Sequence, residues 1–420
     1  MKKRISMALA MATAATMATV SVPAMAADDV NITIFNSKME VQSQFEEKAA
    51  EYSEETGVGV EVYYSSDTVA AHLATKYSAN DPYTLAMVDP KDIYSLAKDH
   101  AIDLSDQDWV KETDYAIGID DQINGFPTCV EARGLIYNAD AIEAITGEKF
   151  NPEDYKTLDA FKELLETLKK GGMETPTGIM KEDWSLEAHF LTQVYEEQPD
   201  VDEFINELHE GKADLINNEK FNSLMDFFDV MMENNYAKDS AIAAERETTE
   251  MMLAEGQIAF MFGGNWDWSV LNAYDYSENM GMMPVPQNTD DGSNEKLVGG
   301  GSKFFMIDSS DATSDEQRQA AKDFLTWLAD SEEGQSFIVN DCALIPAFSN
   351  NKLEVADPLG KSVKEYADAG QLIGSYNYMP DDGISVCGAI CQKYLAGQID
   401  RAEFASEIED YWKNTAPVEH

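Results

Sequence analysis

The residues most able to do chemistry are rings and carboxylates in Gly- and Asn-rich loops. Gly263-Gly264-Asn265-Trp266-Asp267-Trp268 places two indoles at alternate positions with two polar side chains between them. In an extended loop that spacing points both rings the same way. Trp184 follows Lys181-Glu182-Asp183, and Tyr376 and Tyr378 lie in a second loop around Asn377. Asp89, Glu131 and Asn36 stand beside short apolar runs. A flat ring offers contact area to the C–H face of a pyranose. An ionised carboxylate makes strong hydrogen bonds to the hydroxyls on its rim. The candidate ligand contacts are therefore Trp266, Trp268, Trp184 and Tyr378 for stacking, with Glu131, Asp89, Asn36 and Asp267 for hydrogen bonds.

Motifs for bond-making chemistry fail on inspection. The five histidines form no HExxH pair and have no cysteine at zinc-ligand spacing. Gly360-Lys361-Ser362 ends like a phosphate loop, but Val355 stands where the first glycine is required. Gly383-Ile384-Ser385-Val386 is followed by Cys387, so the nucleophile-elbow pattern is broken. Ser95-Leu96-Ala97-Lys98 matches SxxK without the companion motifs of that chemistry. No catalytic residue, metal or cofactor is assigned.

The elements that must hold these residues follow from periodicity. Residues 30–35 alternate as a strand, and 41–52 carry Val41, Phe45, Ala49 and Tyr52 at helical spacing up to Gly57. A strand at 58–64, a helix at 69–77 and a strand at 83–88 complete a βαβαβ order, which calls for a parallel sheet under helices. Strands are expected again at 134–138, 258–262 and 304–307. Helix faces run through Leu158, Phe161, Leu165 and Leu168, through Phe221, Leu224 and Phe228, and through Phe324, Leu325 and Leu328 behind a Ser314/Gln317 capping box. Loops at strand C-termini are where open α/β sheets take ligands, and the candidate residues sit in such loops.

Composition narrows the setting. Met1-Lys2-Lys3-Arg4, an apolar stretch and Ala24-Met25-Ala26 read as a secretory signal peptide cleaved after Ala26. The expected location is extracytoplasmic: the periplasm, the cell surface or the medium. No cysteine lies near the cleavage site, so an acylated-Cys anchor is not expected. The chain has 30 Lys and Arg against 78 Asp and Glu, a formal net charge of −48. Such a surface repels nucleic acid and anionic membranes. Cys129, Cys342, Cys387 and Cys391 are read as free thiols, because Cys387 and Cys391 share a helix face unsuited to a mutual bond.

Several segments together resemble the extracellular solute-binding proteins of carbohydrate ABC importers, the group that includes maltose-binding protein. They are residues 32–56, Met87-Val88-Asp89, Gly125-Phe126-Pro127 with Gly134-Leu135-Ile136-Tyr137-Asn138, residues 252–261 followed by Gly264-Asn265-Trp266, Met283-Pro284-Val285-Pro286, and Ile345-Pro346-Ala347. The resemblance implies an α/β, two-lobed periplasmic-binding-protein fold, each lobe a mainly parallel sheet flanked by helices. Residues 27–138 with 287–345 would form the N-terminal lobe, and 139–286 with 346–420 the C-terminal lobe. A mono- or oligosaccharide would be held in the cleft and handed to membrane permease subunits, with the receptor a monomer. The resemblance puts sugar stacking on Trp266 and a sugar-binding acid on Glu131. The missing lipid-bearing Cys and the high acidity depart from the family pattern. Two alternatives stand beside this reading: the same fold binding a cationic or amino-acid-type ligand through cation–π attraction, and a secreted glycoside hydrolase using two of the many carboxylates.

Overall fold

Strand β1 (Asn31–Phe35) forms where Ile32 and Ile34 point one way into an apolar interior while Asn31 faces water. The computed structural model describes residues 30–65, 67–380 and 382–418; the expected signal peptide lies outside them. After β1, helix Gln42–Thr56 lays Phe45, Ala49 and Tyr52 on the core and ends at Gly57, whose φ of 78° is the left-handed cap that glycine adopts without strain. Strand β2 (Gly59–Tyr63) and strand β3 (Leu85–Val88) then flank β1, both parallel to it, as the βαβαβ order requires.

The remaining strands are β4 (Phe126–Asn138), β5 (Thr177–Gly178), β6 (Phe260–Gly264), β7 (Met280–Met283), β8 (Leu297–Ile307) and β9 (Leu372–Ile373). They join one hydrogen-bonded path, β2-β1-β3-β8-β4-β6-β5, with β7 beside β4 and β9 beside β8. Pairing is mixed: β3–β8, β8–β4, β4–β6 and β4–β7 are antiparallel, while β5–β6 and β8–β9 are parallel. The long strand β4 changes partner along its length. Residues 126–133 pair with β8, and from Arg133 onward it pairs with β6 and β7.

Both long strands extend further than their apolar pattern predicts. Strand β4 runs eight residues ahead of the expected start at Gly134, through Glu131 and Arg133, because it is covered on both faces and need not alternate. Strand β8 runs back through Gly299-Gly300-Gly301, a composition that argues against a strand. Of the three, Gly299 is required by the close approach of β4, Gly301 is crowded by the Phe304 ring, and Gly300 has open space beside it. A Cβ on Gly299 would lie 2.4 Å from the Glu131 carbonyl oxygen and 2.5 Å from the Ala132 Cβ.

Two main apolar cores flank this path. One gathers Ile32, Phe45, Leu85, Phe305 and the inner face of helix Asp315–Asp330. The other gathers Phe161, Phe190, Tyr195, Phe221, Phe227 and Trp412. Alternate residues of the shared strands serve different cores: Ile136, Met261 and Met282 the first, Leu135, Phe262 and Met283 the second. All four cysteines are buried and free. Among the described residues no helix is long and apolar enough to cross a membrane.

Gly299→Ala tests the β4–β8 approach. Backbone cannot yield as a side-chain tip does, so the substitution should cost about 1–3 kcal/mol, read as a lowered urea midpoint with an unchanged slope. A midpoint equal to wild type would show that the strands can part there freely.

Candidate functional site

Where β4 and β8 pass from one core to the other, a cavity of about 1200 Å³ opens above them. Its floor is Glu131-Ala132-Arg133 of β4 and residues 298–303 of β8. One wall carries Lys38, Glu40, Asp89 and Lys91 from the segments after β1 and β3; the facing wall carries Trp184, His189, Arg246, Trp266 and Tyr376.

The indole of Trp266 owes its pose to the glycines before it. A Cβ on Gly264 would fall 2.3 Å from the Trp266 ring, so the ring lies against a bare backbone. A Cβ on Gly263 would fall 2.1 Å from an Asp267 oxygen. Asp267 turns inward, accepts the Gly264 N–H at 2.9 Å and pairs with Arg246. Asn265 accepts the Ala132 N–H at 2.9 Å and stitches the loop to β4. Arg246 also bonds Glu250 at 2.8 Å and stacks its guanidinium 4.9 Å over the Trp184 ring. One cation therefore fixes both tryptophans, and removing it would strand two buried carboxylates. Burial, helped by repulsion from Asp267, pushes the Glu250 carboxyl up to about 8.

Between the indoles sits His189, 4.6 Å from Trp266 and 5.3 Å from Trp184 between ring centres. Burial and the nearby cations Arg133 and Arg246 hold its pKa well below the usual histidine range, so the imidazole is neutral and extends the aromatic wall. Opposite, the carboxylate of Glu131 meets Lys38 at 2.9 Å, and Asp89 pairs with Lys303. Burial alone would depress the Lys38 ammonium; Glu131, with Cys129 and Glu40, reverses that and holds it well above the usual lysine range. A lysine engaging a carboxylate at one oxygen leaves lone pairs for a further donor.

Four of the eight sequence-derived candidates line the cavity: Trp266, Trp184, Glu131 and Asp89. The other four stand behind or beside it. Asn36 is buried, and its side chain is spent on the turn: Nδ2 donates to the Lys38 carbonyl and to Gln42, and Oδ1 accepts the Lys38 N–H. It aims Lys38 instead of touching the cavity. Asp267 anchors the loop from behind. Trp268 does not point with Trp266, because residues 265–271 coil helically instead of extending; its ring meets Tyr276 at 4.8 Å and covers the first core. Tyr378 lies 4.6 Å from Tyr94, and Tyr376 takes the lining position. Tyr94 follows Ile93 of the small cluster beneath β3, and Tyr376 and Met379 rest on the second core, so the Tyr94–Tyr378 contact bridges the two sides.

Sequence reasoning missed Lys38, Arg133, Glu187, His189 and Arg246. Lys38 was findable, since it directly follows the turn after β1. Arg133 breaks an apolar run, and a lone charge inside a buried strand signals an internal partner. It donates to the His189 carbonyl at 2.6 Å and to Thr192 at 2.9 Å, and it pairs with Glu196. His189 and Glu187 had no signal, because their helix shows only ordinary apolar spacing.

The sequence matches the bacterial extracellular solute-binding protein family over residues 47–369, and the chain belongs to that family. Its fold is shared with solved binding proteins. A binding protein, MsmE, from Bacillus subtilis in an open conformation superposes with a TM-score of 0.74 at 19% identity, over 92% of this chain and 97% of that one. RafE of Streptococcus pneumoniae, solved with raffinose, gives 0.74 at 18% identity over 91% and 99%. A Bacillus licheniformis sugar transporter with stachyose gives 0.67 at 20% identity over 91% and 99%. No curated protein sequence matches the chain significantly.

Two measurements check this geometry. Gly264→Ala should displace the Trp266 indole, seen as a shifted tryptophan emission and altered near-UV circular dichroism; superimposable spectra would refute the close fit. The Glu187 carboxyl is pushed up to about 8, chiefly by burial, against the opposing pull of Arg133. In the unfolded chain it ionises near 4.5. The folded state thus binds the extra proton between those values, and stability falls as pH rises through that window. Glu187→Gln should therefore unfold at a higher temperature than wild type. The gap should grow from pH 4.5 to about 8 and then level off. A gap independent of pH would contradict the assignment.

Proposed function

We propose that this cavity binds a neutral oligosaccharide, and that the protein is the extracytoplasmic receptor of an ABC importer. The observation that carries the reading is the aromatic wall Trp184–His189–Trp266 facing the lysine-paired carboxylates Glu131 and Asp89. A sugar presents an apolar face to rings and hydroxyls to charged acceptors. The volume exceeds the ~300–1,000 Å³ of ordinary small-molecule pockets, which favours several sugar units over one. Proteins of the same fold have been solved with raffinose, stachyose and mannotriose.

In this reading Trp266 and Trp184 stack on sugar, Glu131 and Asp89 accept from hydroxyls, and Asn36, Asp267, Trp268 and Tyr378 support them. Residues 27–138 with 287–345, and 139–286 with 346–420, act as lobes that close by hinge motion, with the Tyr94–Tyr378 contact at the meeting edge. The leader is cleaved near Ala26, and a monomeric receptor hands its sugar to permease subunits.

Isothermal titration of the chain from Ala27 against raffinose, stachyose, mannotriose and chitotriose tests this, beside spermidine and free amino acids. At least one saccharide should bind, with affinity unchanged between low salt and 1 M NaCl, and Trp266→Ala should weaken it about tenfold or more. Binding only to spermidine or an amino acid, and weakened by salt, would replace the sugar by a cation.

A further inference from the structure

The segment Ser185–Leu191 is a π-helix, a wider turn than the α-helix that follows it. Such turns are uncommon and cluster at functional sites. This one brings Glu187, Ala188 and His189 to the cavity wall. Glu187 is fully buried, and neither carboxyl oxygen has a hydrogen-bond partner. Its neighbours do not need it. Arg133 on β4 is occupied by Glu196, Thr192, Ser375 and the His189 carbonyl. Other groups facing it are Lys91, Asp183 and Glu196, together with the thiols of Cys387 and Cys391 and the Tyr195 phenol. None of these is bonded to it. A buried polar group left unpaired is destabilising, and here no hydrogen bond compensates. Folding alone would favour a leucine or methionine at this position.

We propose that Glu187 is a ligand-contacting residue: the end of the cavity lined by Glu187, Thr192, Tyr376, Met379 and Ile384 takes a sugar unit one of whose hydroxyls pairs with the Glu187 carboxyl group. This rests on the saccharide reading above. Held protonated by burial near neutral pH, Glu187 offers one O–H donor and one C=O acceptor. A sugar hydroxyl offers the same complement. The pair satisfies both groups without bringing a bare charge into the closed site. The subsite thus selects a hydroxylated unit over a deoxy analogue, because a missing hydroxyl leaves the acid unpaired again.

The test measures affinity and stability on the same variants, with the best-binding saccharide of the titration panel. Glu187→Gln keeps one donor and one acceptor and should bind within about threefold of wild type. Glu187→Leu keeps the volume and should unfold at a temperature equal to or above wild type while losing about tenfold or more in affinity. Higher stability with lower affinity is the mark of a residue kept for ligand. If the Glu187→Leu protein binds as tightly as wild type while Trp266→Ala abolishes binding, the saccharide reading survives and the role of Glu187 is overturned. If Glu187→Leu lowers the unfolding temperature and affinity in parallel with Glu187→Gln, the residue is structural and the proposal also falls. A panel in which no saccharide binds overturns both.

Discussion

The molecule is organised around the change of partner along β4. Over residues 126–133 its backbone pairs with β8, and from Arg133 it pairs with β6 and β7. A strand must place neighbouring side chains on opposite faces. One strand running between two cores therefore sends alternate residues to each, and the stretch at the handover borders the cavity. Glu131 and Arg133 lie at that stretch. The cavity lies above β4 and β8 where they leave one core and have yet to enter the next.

Charge and aromatic geometry follow from that position. Groups on the floor lie at the edge of a low-dielectric interior, where unpaired charge is expensive. The structure answers by pairing: Lys38 with Glu131 and Glu40, Lys303 with Asp89, Arg133 with Glu196, Arg246 with Glu250 and Asp267. Arg246 does more than neutralise. Its two carboxylates sit on its own helix and on the Trp266 loop, and its flat face covers Trp184. The indoles are held before any ligand arrives, which spares the ordering cost at binding. Glu187, with neither carboxyl oxygen partnered, departs from this pairing, and that imbalance makes it informative.

Much of the fold could be read from the residues. The β1–β2–β3 order, the Gly57 stop, the Ser314/Gln317 capping box and the helix faces around Phe161 and Phe221 all follow from local spacing, and they sit where spacing puts them. The starts of β4 and β8 could not be read. Their first halves carry Glu131 and three glycines, and only pairing with each other makes them strands. Noticing rings and acids at strand ends and in loops nominated eight residues, and four of them line the cavity. That rule fails where a loop coils: residues 265–271 turn helically and send Trp268 away from Trp266. It also cannot see residues inside a helix, such as His189, whose place on the wall depends on a π turn.

The amino-acid order alone determined the short-range features: most helices and strands outside the first halves of β4 and β8 and the coil at 265–271, where caps and stops fall, and that Trp266 follows two glycines. These depend on contacts within a few residues, where chain geometry leaves little choice. Tertiary structure decided which acids are free and which are tied, which of two neighbouring indoles faces the cavity, and that Lys38 lies 2.9 Å from Glu131 across 93 residues of chain. Such pairings depend on how long strands cross. Crossing is set by the sum of many weak packing and pairing energies, and no single stretch of sequence contains that sum.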